Sequence, residues 1–165
     1  MILAPSHISH LISQISDIPD PEVPVITIAD LGILREVKEE DGKFTITITP
    51  TYSGCPAMKA IENEIAGVLK KNGVTDFEIK YTYSPAWTTD WLNDAAKEKL
   101  RAYGIAPPEK TSSDKSVLFA LQKTKSCPRC NSTNTEMISA FGSTACKALY
   151  RCKNCGEPFD YFKCH

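Results

Sequence analysis

Seven cysteines are the residues of this 165-residue chain best able to do chemistry, and they are unevenly placed. Cys127-Pro128-Arg129-Cys130 and Cys152-Lys153-Asn154-Cys155 form two C-x-x-C pairs with 21 residues between them. Each pair bends the chain so that two sulfurs face one point, and two such knuckles offer four thiolates to a single tetrahedral ion. Soft, charged sulfur donors favour Zn²⁺. These four cysteines are therefore expected to hold a structural zinc ion, with a β-hairpin between the knuckles. A rubredoxin-type iron site is the competing metal reading, and a redox C-x-x-C would leave the second pair unexplained. Cys146 and the penultimate Cys164 are extra. They read as free thiols or as members of a second metal site, since four ligands already satisfy zinc.

Cys55 stands alone in the first 126 residues, inside Thr51-Tyr52-Ser53-Gly54-Cys55-Pro56. Pro56 suits a first helical position, which sets Cys55 at the N-cap. There the free N–H groups and the helix dipole are expected to favour the thiolate and lower its pKa. A thiolate on a loop edge serves as nucleophile, redox centre or metal ligand, while a small buried thiol is the plain structural reading. A catalytic arrangement lacks support, because the only imidazoles in this half are His7 and His10 on a short N-terminal helix. Asp20-Pro21-Glu22 and Asp30-Leu31-Gly32 bring carboxylates to strand ends, where turn and capping chemistry is their ordinary role. Trp87 and Trp91 read as packing residues near the last strand–helix joint.

The elements that must position these residues are legible in the pattern. Ile8, Leu11, Ile12 and Ile15 fall at helical spacing after a capping Ser6. Pro19, Pro21 and Pro24 force an extended path. Residues 33–39 and 43–50 read as strands around the tight turn Asp41-Gly42. A helix follows over 56–72, with a stripe of Met58, Ile61, Ile65, Val68 and Leu69 and with Gly73 closing it. Residues 74–83 alternate as a third strand. Thr88 or Thr89 caps a last helix over 90–103. The expected fold is α+β: a small α-β-β-α-β-α domain with a mixed sheet, followed by a zinc-ribbon β domain. The first domain spans 1–104, a linker with Pro107-Pro108 spans 105–115, and the ribbon spans 116–165.

Composition narrows the class. Hydrophobic residues are 42% and charged residues 24%, the usage of an ordinary globular protein. No apolar run is long enough to cross a membrane, and the first residues lack a signal-peptide pattern, so a cytoplasmic protein is expected. A reducing cytosol also suits clustered thiols better than disulfides. Residues 1–115 hold 12 Lys+Arg against 17 Asp+Glu, and residues 116–165 hold 7 against 3. The basic residues of the tail are scattered rather than gathered in a stripe, which speaks against nucleic-acid binding.

Taken together these motifs resemble known families. Asp20-Pro21-Glu22, Asp30-Leu31-Gly32-Ile33 and Thr51 to Pro56 look like those of the small domain of iron–sulfur assembly factors of the SufT type, over about 6–104. Both C-x-x-C pairs, Phe141-Gly142-Ser143-Thr144-Ala145-Cys146-Lys147-Ala148 and Glu157 to Lys163 resemble the zinc-ribbon tail of the PaaD family. Those proteins are accessory subunits of the phenylacetyl-CoA epoxidase of aerobic phenylacetate degradation. The resemblance implies a non-catalytic role: maturing the epoxidase by assembling or delivering an iron–sulfur cluster or iron, with the [2Fe–2S] reductase component as client. By carry-over, Cys55 is the reactive cysteine of the family and Asp20 belongs to the acidic motif of the same face. One cysteine cannot hold a [2Fe–2S] cluster, which takes four ligands. A second protomer, the client or a small thiol must complete the set, so a homodimer or a transient complex is expected. A structural subunit or docking adaptor of the epoxidase is the rival reading, and a nucleic-acid-binding ribbon a more distant one.

Overall fold

The computed structural model describes residues 5–109 and 125–163. The chain divides into two compact units, residues 1–91 and 92–165.

The first unit begins with α1 (Pro5–Ser16), which buries Leu11 and Ile15. The helix starts at Pro5, one residue before the Ser6 position at which the sequence pattern begins it. The proline-rich stretch then folds back on itself through an isolated bridge between Pro19 and Thr27. β1 (Leu34–Glu40) and β2 (Lys43–Ile48) pair antiparallel around Asp41-Gly42. Both turn residues have positive φ, 53° and 84°, the backbone twist that closes a two-residue hairpin. Phe44, Ile46 and Ile48 of β2 are fully buried, while Thr45 and Thr47 are only partly covered. That is the period-two pattern of one core face and one wetter face.

α2 (Ala57–Lys71) crosses from β2 to β3 (Phe77–Tyr81), which runs parallel to β2. The sheet is therefore mixed, in the order β1-β2-β3. Met58, Ile61, Ile65 and Leu69 form the buried stripe of α2. The helix ends at Asn72, and Gly73 at φ +77° takes the left-handed turn that returns the chain to β3. The Asn72 side-chain amide donates to the Gln14 side-chain Oε1 at 2.7 Å, tying α2 to α1.

The second unit opens with α3 (Asp94–Ala102). The sequence pattern starts this helix at residue 90 and caps it with Thr88 or Thr89. Instead the Trp91 N–H donates to the Thr88 carbonyl at 3.2 Å, closing a 3-10 turn over Thr89–Trp91 that the Thr88 hydroxyl caps by accepting from the Asp90 N–H, and Asn93 caps α3 by accepting from the Ala96 N–H at 2.7 Å. Gly104 then turns the chain straight into β4 (Ile105–Ala106), which pairs parallel with β7 (Pro158–Phe162). Residues read from sequence as the start of a linker are thus a strand of the ribbon sheet, and α3 groups with that sheet rather than with β1 to β3. Residues 110–115 of the expected linker lie outside the described residues. β5 (Thr135–Ser139), β6 (Lys147–Cys152) and β7 complete a four-stranded sheet in the order β4-β7-β6-β5. Its core is small: Ala106, Cys127, Ala148, Tyr150, Cys152 and Phe159, with Tyr161 against them.

Candidate functional site

The C-x-x-C pairs form two near-identical turns. In the first, the Asn131 N–H donates to the Cys127 carbonyl at 2.9 Å and the Cys127 N–H to the Ser132 carbonyl at 2.9 Å. In the second, the Gly156 N–H donates to Cys152 at 2.9 Å and the Cys152 N–H to Glu157 at 2.8 Å. Asn131 and Gly156, each just after the second cysteine of its pair, both have positive φ, 58° and 78°. That single left-handed residue swings each knuckle shut and aims its sulfurs the same way.

All four sulfurs lie within 4.8 Å of one another, with Cys127 to Cys155 at 3.8 Å and Cys130 to Cys152 at 3.5 Å. Four thiolates around zinc at about 2.3 Å would stand about 3.8 Å apart, so the residues fit that ion. The electrostatics say the same. At Cys152, the N–H groups of Cys155 and Asn154 pointing at the sulfur, with thiol donors beside it, pull the pKa down to about 6. At Cys130 the Ser132 N–H favours the thiolate, but local desolvation by the crowded sulfurs and the bonds to the other three outweigh it and push the pKa up to about 12. The opposite shifts of Cys130 and Cys152 are those of neighbouring thiols with no cation between them to neutralise a second thiolate. Cys127 and Cys152 are buried and Cys130 and Cys155 exposed, and Arg129 of the first knuckle pairs with Glu157 beside the second. The Cys155 and Cys127 sulfurs add to Glu157 in holding the Arg129 guanidinium charged.

Cys146 lies apart from this cluster. It is buried, with its sulfur 3.1 Å from the Thr144 hydroxyl. The loop carrying it is tightly set: a Cβ on Gly142 would come within 2.8 Å of the Asp160 carboxylate, which stands 3.9 Å from the buried Lys147 ammonium. Cys164 lies outside the described residues.

In the first unit, the segments around Cys55, Thr51, Asp20 and Glu22 converge at the end of the sheet where β2 runs out. The helix cap is Pro56, one residue beyond Cys55, and it makes no side-chain cap bond. Cys55 is half-buried. Burial pushes its pKa up, and the Glu22 and Asp20 carboxylates push it further; the Ala57 N–H and the Thr51 hydroxyl bonded to sulfur oppose this and lose. The lowered pKa expected for an N-capping thiolate is thus corrected: the helix-end amide does help, but desolvation and two nearby negative charges win.

Asp20 is buried and accepts from the Glu22 and Val23 N–H groups at 2.9 and 2.8 Å, so it shapes the turn that holds Glu22. Asp30 exchanges bonds with Thr27 at 3.1 Å in both directions, turn chemistry of the ordinary kind. Trp87 is a packing residue, its indole donating to the Leu31 carbonyl at 2.7 Å. Trp91 carries the Arg35 guanidinium 4.2 Å from its ring centre. Sequence reasoning gave Thr51 and Glu22 no role of their own. The signal was present, a hydroxyl four residues before the thiol and a second carboxylate in the Asp-Pro-Glu motif, but only folding shows that both act on one sulfur.

Residues 10–80 match the family model described as iron–sulfur cluster assembly protein, and residues 111–163 match the PaaD zinc beta ribbon domain. Over 98% of its length the chain is 48% identical to a protein of Escherichia coli (strain K12) named as a candidate subunit of 1,2-phenylacetyl-CoA epoxidase, covering 96% of that protein. The chain belongs to the PaaD family. Its first part is also 35% identical to the Fe-S protein maturation auxiliary factor SufT of Staphylococcus aureus (strain USA300), over 49% of this chain and 93% of that one. The crystal structure of a domain of unknown function, DUF59, from Bacillus anthracis superposes on 58% of the chain and 92% of its own at TM-score 0.52 and 28% identity. The PaaD chain is therefore an iron–sulfur-assembly-type α+β domain joined to a zinc ribbon, and no helix among its described residues is long and apolar enough to cross a membrane.

Proposed function

We propose that this PaaD-family protein is a non-catalytic accessory factor of a phenylacetyl-CoA epoxidase, and that it matures the epoxidase by handing iron or an iron–sulfur cluster to the reductase component. The supporting observation is the environment of Cys55. Partial burial, with two nearby carboxylates adding to it, disfavours a bare thiolate, so the resting group is a neutral thiol and a poor nucleophile. The same carboxylates attract a cation. Iron arriving at the sulfur displaces its proton, and the thiolate–metal pair then sits in a field that suits it. A site that rejects the free anion yet accepts the ligated one is suited to brief cargo binding. Cys55 supplies one ligand, Asp20 and Glu22 the field, and a second protomer, a small thiol or the client completes the coordination sphere. The four ribbon thiols would hold zinc as a cross-link that substitutes for the small core and keeps a recognition surface rigid.

Co-expression of Cys55→Ser with the reductase component tests this. The variant is expected to keep wild-type zinc content and circular dichroism while the purified reductase loses most of its cluster, read from visible absorbance and iron content. Full cluster occupancy would remove Cys55 from the function. The epoxidase-component name carried by the Escherichia coli relative favours a second reading, a docking adaptor within the complex. Co-purification with oxygenase components in fixed stoichiometry, unaffected by Cys55→Ser, would establish it instead.

A further inference from the structure

β3 has β2 on one side and, among the described residues, no strand on the other. Its ladder to β2 runs from Phe77 to Tyr81 without a break. The opposite edge of the sheet, β1, has a register shift between Leu34 and Glu36 that leaves Arg35 unmatched. A bulge of that kind bends an edge away from straight pairing and protects it. β3 lacks this protection. Phe77 and Ile79 are half-buried and Tyr81 is 39% exposed on the face where the Tyr81 hydroxyl reaches Glu62 of α2 at 3.4 Å. Glu78 and Lys80 are exposed on the other face, 3.5 Å apart.

We propose that β3 is the interface through which two copies of this chain pair, antiparallel and centred on Ile79. The strand is self-complementary in that register. Glu78 stands opposite Lys80 of the partner subunit and Lys80 opposite Glu78 of the partner subunit. Phe77 stands opposite Tyr81 of the partner subunit, and Ile79 meets its own symmetry mate. Directly opposed unlike charges and aromatic pairs are the favourable cross-strand contacts of antiparallel sheets. Registers centred on Glu78 or Lys80 set like charges against each other. Pairing also completes the half-covered apolar stripe of Phe77, Ile79 and Tyr81 and joins the two three-stranded sheets into one of six strands.

The geometry has a consequence that rests on the cargo-handling reading of Cys55. β2 and β3 are parallel, so the loop bearing Cys55 leaves the sheet at the Tyr81 end. Antiparallel pairing points the two Tyr81 ends in opposite directions. The two thiols then lie at least about a strand length, ~15 Å, apart, and cannot share one cluster. The dimer carries two separate sites, each completed by the client or a small thiol.

Sedimentation velocity of the zinc-loaded full chain, with charge swaps, tests the interface. The wild type is expected to sediment as a dimer, twice 18.2 kDa, at the high protein concentrations that reveal weak pairing. Glu78→Lys alone and Lys80→Glu alone each turn two attractive pairs into repulsive ones and are expected to weaken self-association about tenfold or more. An equimolar mixture of the two singles restores unlike pairing and is expected to dimerise, as is the double variant. Zinc content and circular dichroism confirm that the singles are folded. A monomeric wild type, singles that dimerise as the wild type does, or a mixture that stays monomeric would each overturn the proposal. None of these results bears on the reductase experiment with Cys55→Ser, so the two readings fail separately.

Discussion

At the scale of single residues, the chemistry of Cys55 is decided by what surrounds the sulfur. Desolvation is the largest influence, and Glu22 and Asp20 add to it. Folding therefore favours the neutral thiol. The sign follows directly: this group's contribution to stability is whole below the thiol's ordinary pKa of 9.0 and is lost as pH rises through the higher folded value. Glu22→Gln removes one of the two carboxylate charges while leaving the Asp20 turn bonds to the backbone in place. Its Cys55 is expected to alkylate with iodoacetamide about twofold faster than wild type at pH 8, with the midpoint of the pH–rate curve moved down. An unchanged midpoint would remove Glu22 from the field on the sulfur. Thr51 was visible in the sequence only as a polar loop residue. Its bond to the sulfur depends on how the loop folds back before α2 starts.

Among the elements, termini are held by different means and carry different risks. α2 starts without a side-chain cap, so its entry is fixed by Pro56 and by the loop that holds Cys55. α3 starts on a strong cap, Asn93, whose side chain occupies the Ala96 N–H. Asn93→Ala is expected to lower stability by about 1 kcal/mol in urea titrations, whereas Thr88→Ala, at one of the two positions suggested by the sequence pattern, leaves that cap intact. Equal losses would show that the cap is not the source of the effect. The two sheets also differ in how their strands were legible. β2 and β3 follow plain alternation, and β1 is tied to β2 by the strong Asp41-Gly42 turn. β4 is two residues long, within a stretch whose prolines and polar residues read as a joint, and only its partner β7 makes it a strand.

At the scale of the molecule, the ribbon has a small apolar core, so a metal cross-link between its knuckles is expected to carry much of its stability. With zinc holding both knuckles, removal by a strong chelator is expected to abolish amide protection across β5, β6 and β7 while the signals of residues 10–80 persist in NMR spectra. Structural zinc sites of this type supply their domain's folding free energy. A ribbon that kept its dispersed spectrum after verified metal loss would show that Tyr150, Phe159 and their neighbours suffice alone.

What the sequence determined by itself was local and periodic. Cysteine spacing fixed the knuckles, because a C-x-x-C turn closes within a few residues. Alternation fixed β2 and β3, helical spacing fixed the stripe of α2, and the motifs fixed the family. The tertiary structure alone decided the direction of the Cys55 pKa, the assignment of α3 to the ribbon's unit, the Arg129–Glu157 tie between the knuckles and the edge at β3, bare among the described residues. Each of these depends on residues far apart in sequence meeting in space. A sulfur's field is a sum over neighbours of any sequence separation, and a strand is an edge only because no other strand pairs beside it.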